Sequence, residues 1–168
     1  MSWGQRILGI SNTMTRATVP GRWRETVCIG VCSLAVILAL VVGVGLASGL
    51  VIRHVVQTVP MWLGVAIGFR GSPAVKWLGL PLFIFWLLLM ALIWLFLLGL
   101  PSPLSGHFSP VEIAMTIVVG AASVAGIRAA LRISPAMSIA AGAALFVGAA
   151  TLQAICFRVS LLPAIAHR

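Results

Sequence analysis

His54 and His107 are the side chains in this 168-residue sequence best suited to chemistry, because neutral imidazole ligates transition metals and haem iron and can contact a quinone. Two imidazoles make an incomplete metal site, since soft and borderline metals usually take more ligands. Two interfacial histidines facing water and headgroups are therefore the preferred reading, and no metal or other cofactor is expected. Acids are scarcer: Glu25 and Glu112 are the only two in the chain. Glu25 precedes the first apolar stretch and Glu112 falls in the first turn of a helix, so neither supplies a carboxylate relay at a membrane midplane. The same scarcity excludes a two-acid hydrolase and a hard-cation site.

Two further groups carry functional readings. Gln57 and Pro60 interrupt a short apolar segment, and broken segments of this kind line solute paths in transporters, where irregular backbone faces a cavity. The second broken segment of an inverted repeat is missing, so a proline kink in an ordinary span is preferred. Arg128 and Arg132, one helical turn apart, form a basic step suited to anionic lipid phosphate. No Gly-rich loop or Walker motif supports a nucleotide. Cys28, Cys32 and Cys156 all sit in or beside apolar segments, where thiols act as small hydrophobes. Cys28 and Cys32 share a helical face, but adjacent turns hold two thiols in poor geometry for a disulfide.

These residues are positioned by apolar helices. A mean hydropathy of +1.18 and 61% apolar residues exceed the roughly half-apolar composition of soluble domains, so the expected fold is an all-α polytopic membrane bundle. The net charge of +9 comes from basic residues scattered singly between apolar stretches. That pattern fits membrane lipids with anionic headgroups and excludes a nucleic-acid surface. Nothing in the physics explains why Lys76 is the only lysine among so many arginines.

The basic tail 1–26 places Trp3, Ile7, Ile10 and Met14 at helical spacing, which suits an interfacial amphipathic helix, with a disordered tail as the alternative. The bundle occupies 27–163, with spans over about 27–52, 54–69, 78–100, 110–130 and 135–157, and a short tail follows at 164–168. Ser72-Pro73, Ser109-Pro110 and Ser134-Pro135 each read as an N-cap followed by proline at the first helical position. Ser109 with Glu112 adds a capping box, which makes Glu112 structural rather than catalytic.

The segment Val55 to Phe69 decides the topology. Left uncrossed, it gives four spans plus a re-entrant or interfacial piece, and the basic residues divide six to five across the membrane. Crossed, it gives five spans and a division of eight to three, as the positive-inside tendency predicts. Five spans are therefore expected, with the N-terminus cytoplasmic and His54 on the same outer face as the His107 loop.

Side-chain size separates the helices. Leu82 to Leu98 is almost uniformly bulky and suits lipid or a broad partner surface. Gly45 with Gly49, Ala122 with Gly126, and Ala144 with Gly148 offer small residues one turn apart, as close-packed membrane helices require, and their helices are expected to form the bundle core. Within the chain such pairs serve packing before oligomerisation. The Ala/Gly-rich stretches after Pro110 and Pro135 match in composition only, so no repeat is assigned.

With no catalytic constellation and minimal loops, the preferred reading is a non-catalytic subunit, or an assembly and stabilising factor, of a larger complex in a bacterial inner membrane. The alternatives are a small self-associating channel or transporter, and a redox subunit using His54 and His107.

Overall fold

The computed structural model describes residues 20–101, 108–134 and 136–166, so the tail helix expected around Trp3 to Met14, His107 and Pro135 lie outside the described residues. The chain is all-helical over this range. Helix α1 (Pro20–Leu38) continues through a wide π-helical stretch, Ala39–Gly45, into one last turn, α2 (Leu46–Ser48). Then follow α3 (Val51–Thr58), α4 (Met61–Phe69), α5 (Val75–Leu97), α6 (Pro110–Arg132), α7 (Ile139–Ser160) and a final turn, α8 (Pro163–Ala166). Four helices are long and apolar enough to cross a bilayer, and a fifth crossing is available if α3 and α4, bent by 52°, act as one broken span.

The contacts of α3 and α4 favour that fifth crossing. A methyl group added at Gly45 would meet the Cα of Val51 at 3.2 Å, so α3 begins against the far end of the first helix. One added at Gly68 would meet Gly30 and the Thr26 carbonyl at 2.8 Å, so α4 ends against its beginning. Thr26 and Gly45 are roughly 28 Å apart at ~1.5 Å per helical residue, close to the ~30 Å hydrocarbon thickness. A re-entrant segment would turn back toward Gly45, whereas this pair runs the length of its neighbour. Proline is the cause of the bend: Pro60 has no N–H to give the carbonyl one turn earlier, and the helix re-forms at Met61.

The helices consequently run alternately up and down. One end of the bundle gathers Arg24, Arg70, Lys76, Arg128 and Arg132; there Arg132 pairs with Glu25 at 3.6 Å and Lys76 Nζ donates to the Ile133 carbonyl at 2.9 Å. The other end holds Arg53, Arg158 and the first turn of α6.

Helix starts follow the expected capping at one Ser-Pro pair. Ser109 Oγ accepts from the Glu112 N–H at 3.3 Å while the Glu112 carboxylate accepts from the Ser109 N–H at 2.7 Å, completing the capping box. The other two differ. After Ser72-Pro73 the chain makes one more turn and α5 starts at Val75. Beyond Ser134, α7 starts only at Ile139, capped by Ser138, whose hydroxyl accepts from the Ala141 N–H. A serine with a free N–H three residues ahead caps as well without the proline.

Packing follows the expected division at the first helix, the most deeply buried span, and departs from it at α5 and α7. The bulky α5 joins it in the core, with Leu82, Phe83, Trp86 and Met90 buried, while Ala144 and Gly148 of the small-residue helix α7 are exposed. The two kinds fit together because large rings need flat partners. The Phe83 ring lies over Gly126 and the Trp77 ring over Gly142, each occupying the place where a Cβ would be. Between helices already in lipid, such close contact is the main attraction available.

Candidate functional site

At the end of the bundle carrying Arg53, five helical segments enclose a cavity of about 300 Å³. The π-helical stretch contributes Leu40 and Val44, α5 contributes Trp86 and Met90, α6 contributes Glu112, Met115 and Val119, and α7 contributes Phe157. Arg53, His54 and Gln57 come from α3, and Thr116 of α6 and Ser48, in the last turn of the first helix, complete the polar lining. Single π-helical turns widen a helix and recur at functional sites. Here the widening goes with Gly43, whose missing side chain leaves room for Met115.

Gly49 and the broken span put α3 in place. Gly49 adopts a left-handed conformation (φ 71°), which glycine tolerates, and ends α2 with open space around it. It therefore works as a turn and not as a packing surface. The Leu50 N–H reaches back to the Gly45 carbonyl at 3.0 Å, and His54 Nδ1 donates to the Leu50 carbonyl at 2.8 Å. His54 is buried, and its Nδ1 is thereby committed to its own helix.

Gln57 is buried as well and belongs to a hydrogen-bonded knot between α3 and α7. Its Nε2 donates to Ser160 Oγ at 3.0 Å, and its main-chain oxygen accepts from Gln153 Nε2 at 3.0 Å. Ser160 Oγ donates onward to the Phe157 carbonyl. Pro60 is buried one turn farther on, outside the cavity lining, and shapes the path of the chain. The two residues grouped as a solute path thus have separate places: Gln57 on the cavity wall and Pro60 at the bend.

Among the described residues Ser33, Arg53, Trp86, Ser123 and Gln153 each have a buried side-chain atom without a hydrogen-bond partner, and of these Trp86 and Arg53 line the cavity. Trp86 is 1% exposed, yet its indole N–H has no acceptor, and the buried Nε–H of Arg53 has none either. Trp86 was hidden among the leucines and aromatic rings of a uniformly apolar helix, and Arg53 read as an ordinary flanking charge. Gln153 carries a legible signal as well, since one amide in an apolar α7 marks polar contact within the membrane.

The remaining candidate residues lie elsewhere. Arg128 and Arg132 flank an open groove at the opposite end, with Gly120, Val124 and Cys28 along its walls; Arg128 is exposed there, while Arg132 reaches Glu25. Gly45 is buried against α3, Gly126 lies under Phe83 and Ala122 is partly buried against the core. Cys32 is buried, and Cys28 and Cys156 are partly buried, all as free thiols. Among the described residues no three His, Cys, Asp or Glu side chains come together.

Comparison with protein-family models, characterised proteins and solved structures finds no match to this chain. Its functional reading therefore rests on this geometry.

Proposed function

We propose that this chain is a non-catalytic integral subunit, or an assembly and stabilising factor, of a larger complex in a bacterial inner membrane, with its N-terminus in the cytoplasm. The outer face of α7 carries this reading. Ala144 and Gly148 lie one turn apart and exposed, and a methyl added at Gly148 would meet nothing within 4 Å. By contrast Gly64, Gly68, Gly79, Gly126 and Gly142 each have a neighbour within that distance, and Gly120 of α6, open as well, has the larger Thr116 and Val124 one turn to either side. Small residues one turn apart admit another helix at close range, so an uncovered pair suits a partner's helix. The orientation follows from the basic end of the bundle, which the positive-inside tendency assigns to the cytoplasm. Anionic lipid headgroups are the natural partners of Arg128 at that surface.

Gentle solubilisation of the native membrane tests the proposal. The chain should migrate with other membrane polypeptides, and Gly148→Leu should release it without changing the thermal unfolding of the purified chain. Migration at monomer size, or a Gly148→Leu chain that stays in the complex, contradicts the reading. A purified wild-type chain that forms a homo-oligomer by itself would favour the self-associating channel instead.

A further inference from the structure

We propose that the cavity beside Arg53 binds an anionic amphiphile, with its oxyanion held by Arg53 and Trp86 and its apolar chain against Leu40, Met90 and Val119. The inference goes beyond the subunit reading and rests on two buried donors left without acceptors in the lining of one cavity.

Arginine and the tryptophan indole donate hydrogen bonds and accept none. In this cavity both have a buried N–H without an acceptor, and among the described residues Arg53 makes no ion pair. A half-buried guanidinium whose Nε–H is sealed from solvent calls for an acceptor, best an anion, because a buried donor left unsatisfied is costly. The chain has little to offer one. Of its two acidic side chains, Glu25 pairs with Arg132 at the opposite end of the bundle. Glu112 lines the cavity as a carboxylate, but one of its oxygens is turned to the Ser109 N–H at 2.7 Å and the group makes no ion pair with Arg53. The other side-chain donors on the wall already donate within the chain: Gln57 to Ser160, Ser48 to the Val44 carbonyl and Thr116 to the Ile113 carbonyl.

The missing component is thus an oxyanion from outside the chain, and the apolar walls require that it carry hydrocarbon. A carboxylate or a phosphate presents enough lone pairs to accept from both donors at once. The cavity, at about 300 Å³, lies at the small end of ligand sites, commonly ~300–1,000 Å³. It accommodates a head and the start of one chain. The same chemistry is available from a free fatty acid or from an anionic phospholipid of the bilayer.

Scintillation-proximity binding of tritiated oleate to the purified full-length chain in neutral detergent tests the proposal. Oleate should bind saturably, and its uncharged methyl ester should compete at least tenfold more weakly. Arg53→Gln should weaken oleate binding roughly tenfold or more, the scale of a hydrogen bond to a charged group, and Arg53→Lys should retain most of it. Trp86→Phe, which keeps the ring and removes the N–H, should weaken binding about threefold to tenfold. Displacement by phosphatidylglycerol but not phosphatidylcholine would identify the source as bilayer phospholipid, and displacement by neither would identify free acid. Absence of saturable binding by both oleate and phosphatidylglycerol would overturn the proposal. So would equal competition by the methyl ester, or wild-type affinity in a folded Arg53→Gln chain.

Discussion

Gln153 donates its side-chain N–H to the main-chain oxygen of Gln57 at 3.0 Å, joining α7 to the last turn of α3 just before the Pro60 bend. Polar groups inside a bundle are costly when unpaired, so this bond and the Gln57–Ser160 bond act together to hold the broken span against its neighbour. Gln153→Leu should destabilise the folded protein by about 1–2 kcal/mol in steric-trap or mild-denaturant unfolding. A double-mutant cycle between Gln57→Leu and Ser160→Ala should return a coupling of about 0.5–1.5 kcal/mol. Additive effects would mean that the knot contributes nothing as a pair.

The crossing of α1 with α4 separates two glycines that look alike in the sequence. A methyl at Gly68 would press on backbone, the Gly30 Cα and the Thr26 carbonyl at 2.8 Å, and backbone cannot move aside without parting the helices. One at Gly64 would meet the Ser33 hydroxyl, which can rotate away. Gly68→Ala should therefore cost about 1–3 kcal/mol, as overpacking does. Gly64→Ala should cost less than ~1 kcal/mol. Thermal unfolding of the two purified variants side by side checks the order, and a reversed order would contradict the proposed crossing.

Phe83 and Gly126 form the matching pair between α5 and α6. Gly126→Ala would place its methyl inside the present position of the Phe83 ring and should lower stability by about 1–3 kcal/mol. Phe83→Leu, which loses ring atoms over the same spot, should cost less in the Gly126→Ala background than in the wild type. Unfolding of the single and double variants reads this coupling directly, and equal costs in both backgrounds would show that the two residues do not share a space.

The helical membrane class and the start of α6 were legible because each has a local cause: long apolar runs in the first case, a complete capping box in the second. Ser72 and Ser134 misled because a serine before proline is a weak signal without the acid three residues on. The place of Leu82 to Leu98 was not legible. Bulk alone cannot distinguish a helix facing lipid from one whose rings cover glycines on neighbours far away in sequence. Gly64 and Gly68 did carry a readable close-packing pattern within the interrupted segment, obscured by the attention Pro60 drew. Of the site, His54 and Gln57 were visible as polar residues among apolar ones. The unsatisfied donors of Arg53 and Trp86 depend on what three-dimensional packing leaves unpaired.

The cavity proposal depends on α3 and α4 crossing the membrane as one broken span, since that crossing brings Arg53, His54 and Gln57 to the end of the bundle that holds Glu112. Single cysteines at Ser48 and Ser72, in a chain with Cys28, Cys32 and Cys156 replaced by alanine, test it with a membrane-impermeant maleimide applied to intact cells. A crossing predicts labelling of Ser48→Cys from outside and protection of Ser72→Cys until the membrane is opened. Labelling of both positions from the same side would contradict it.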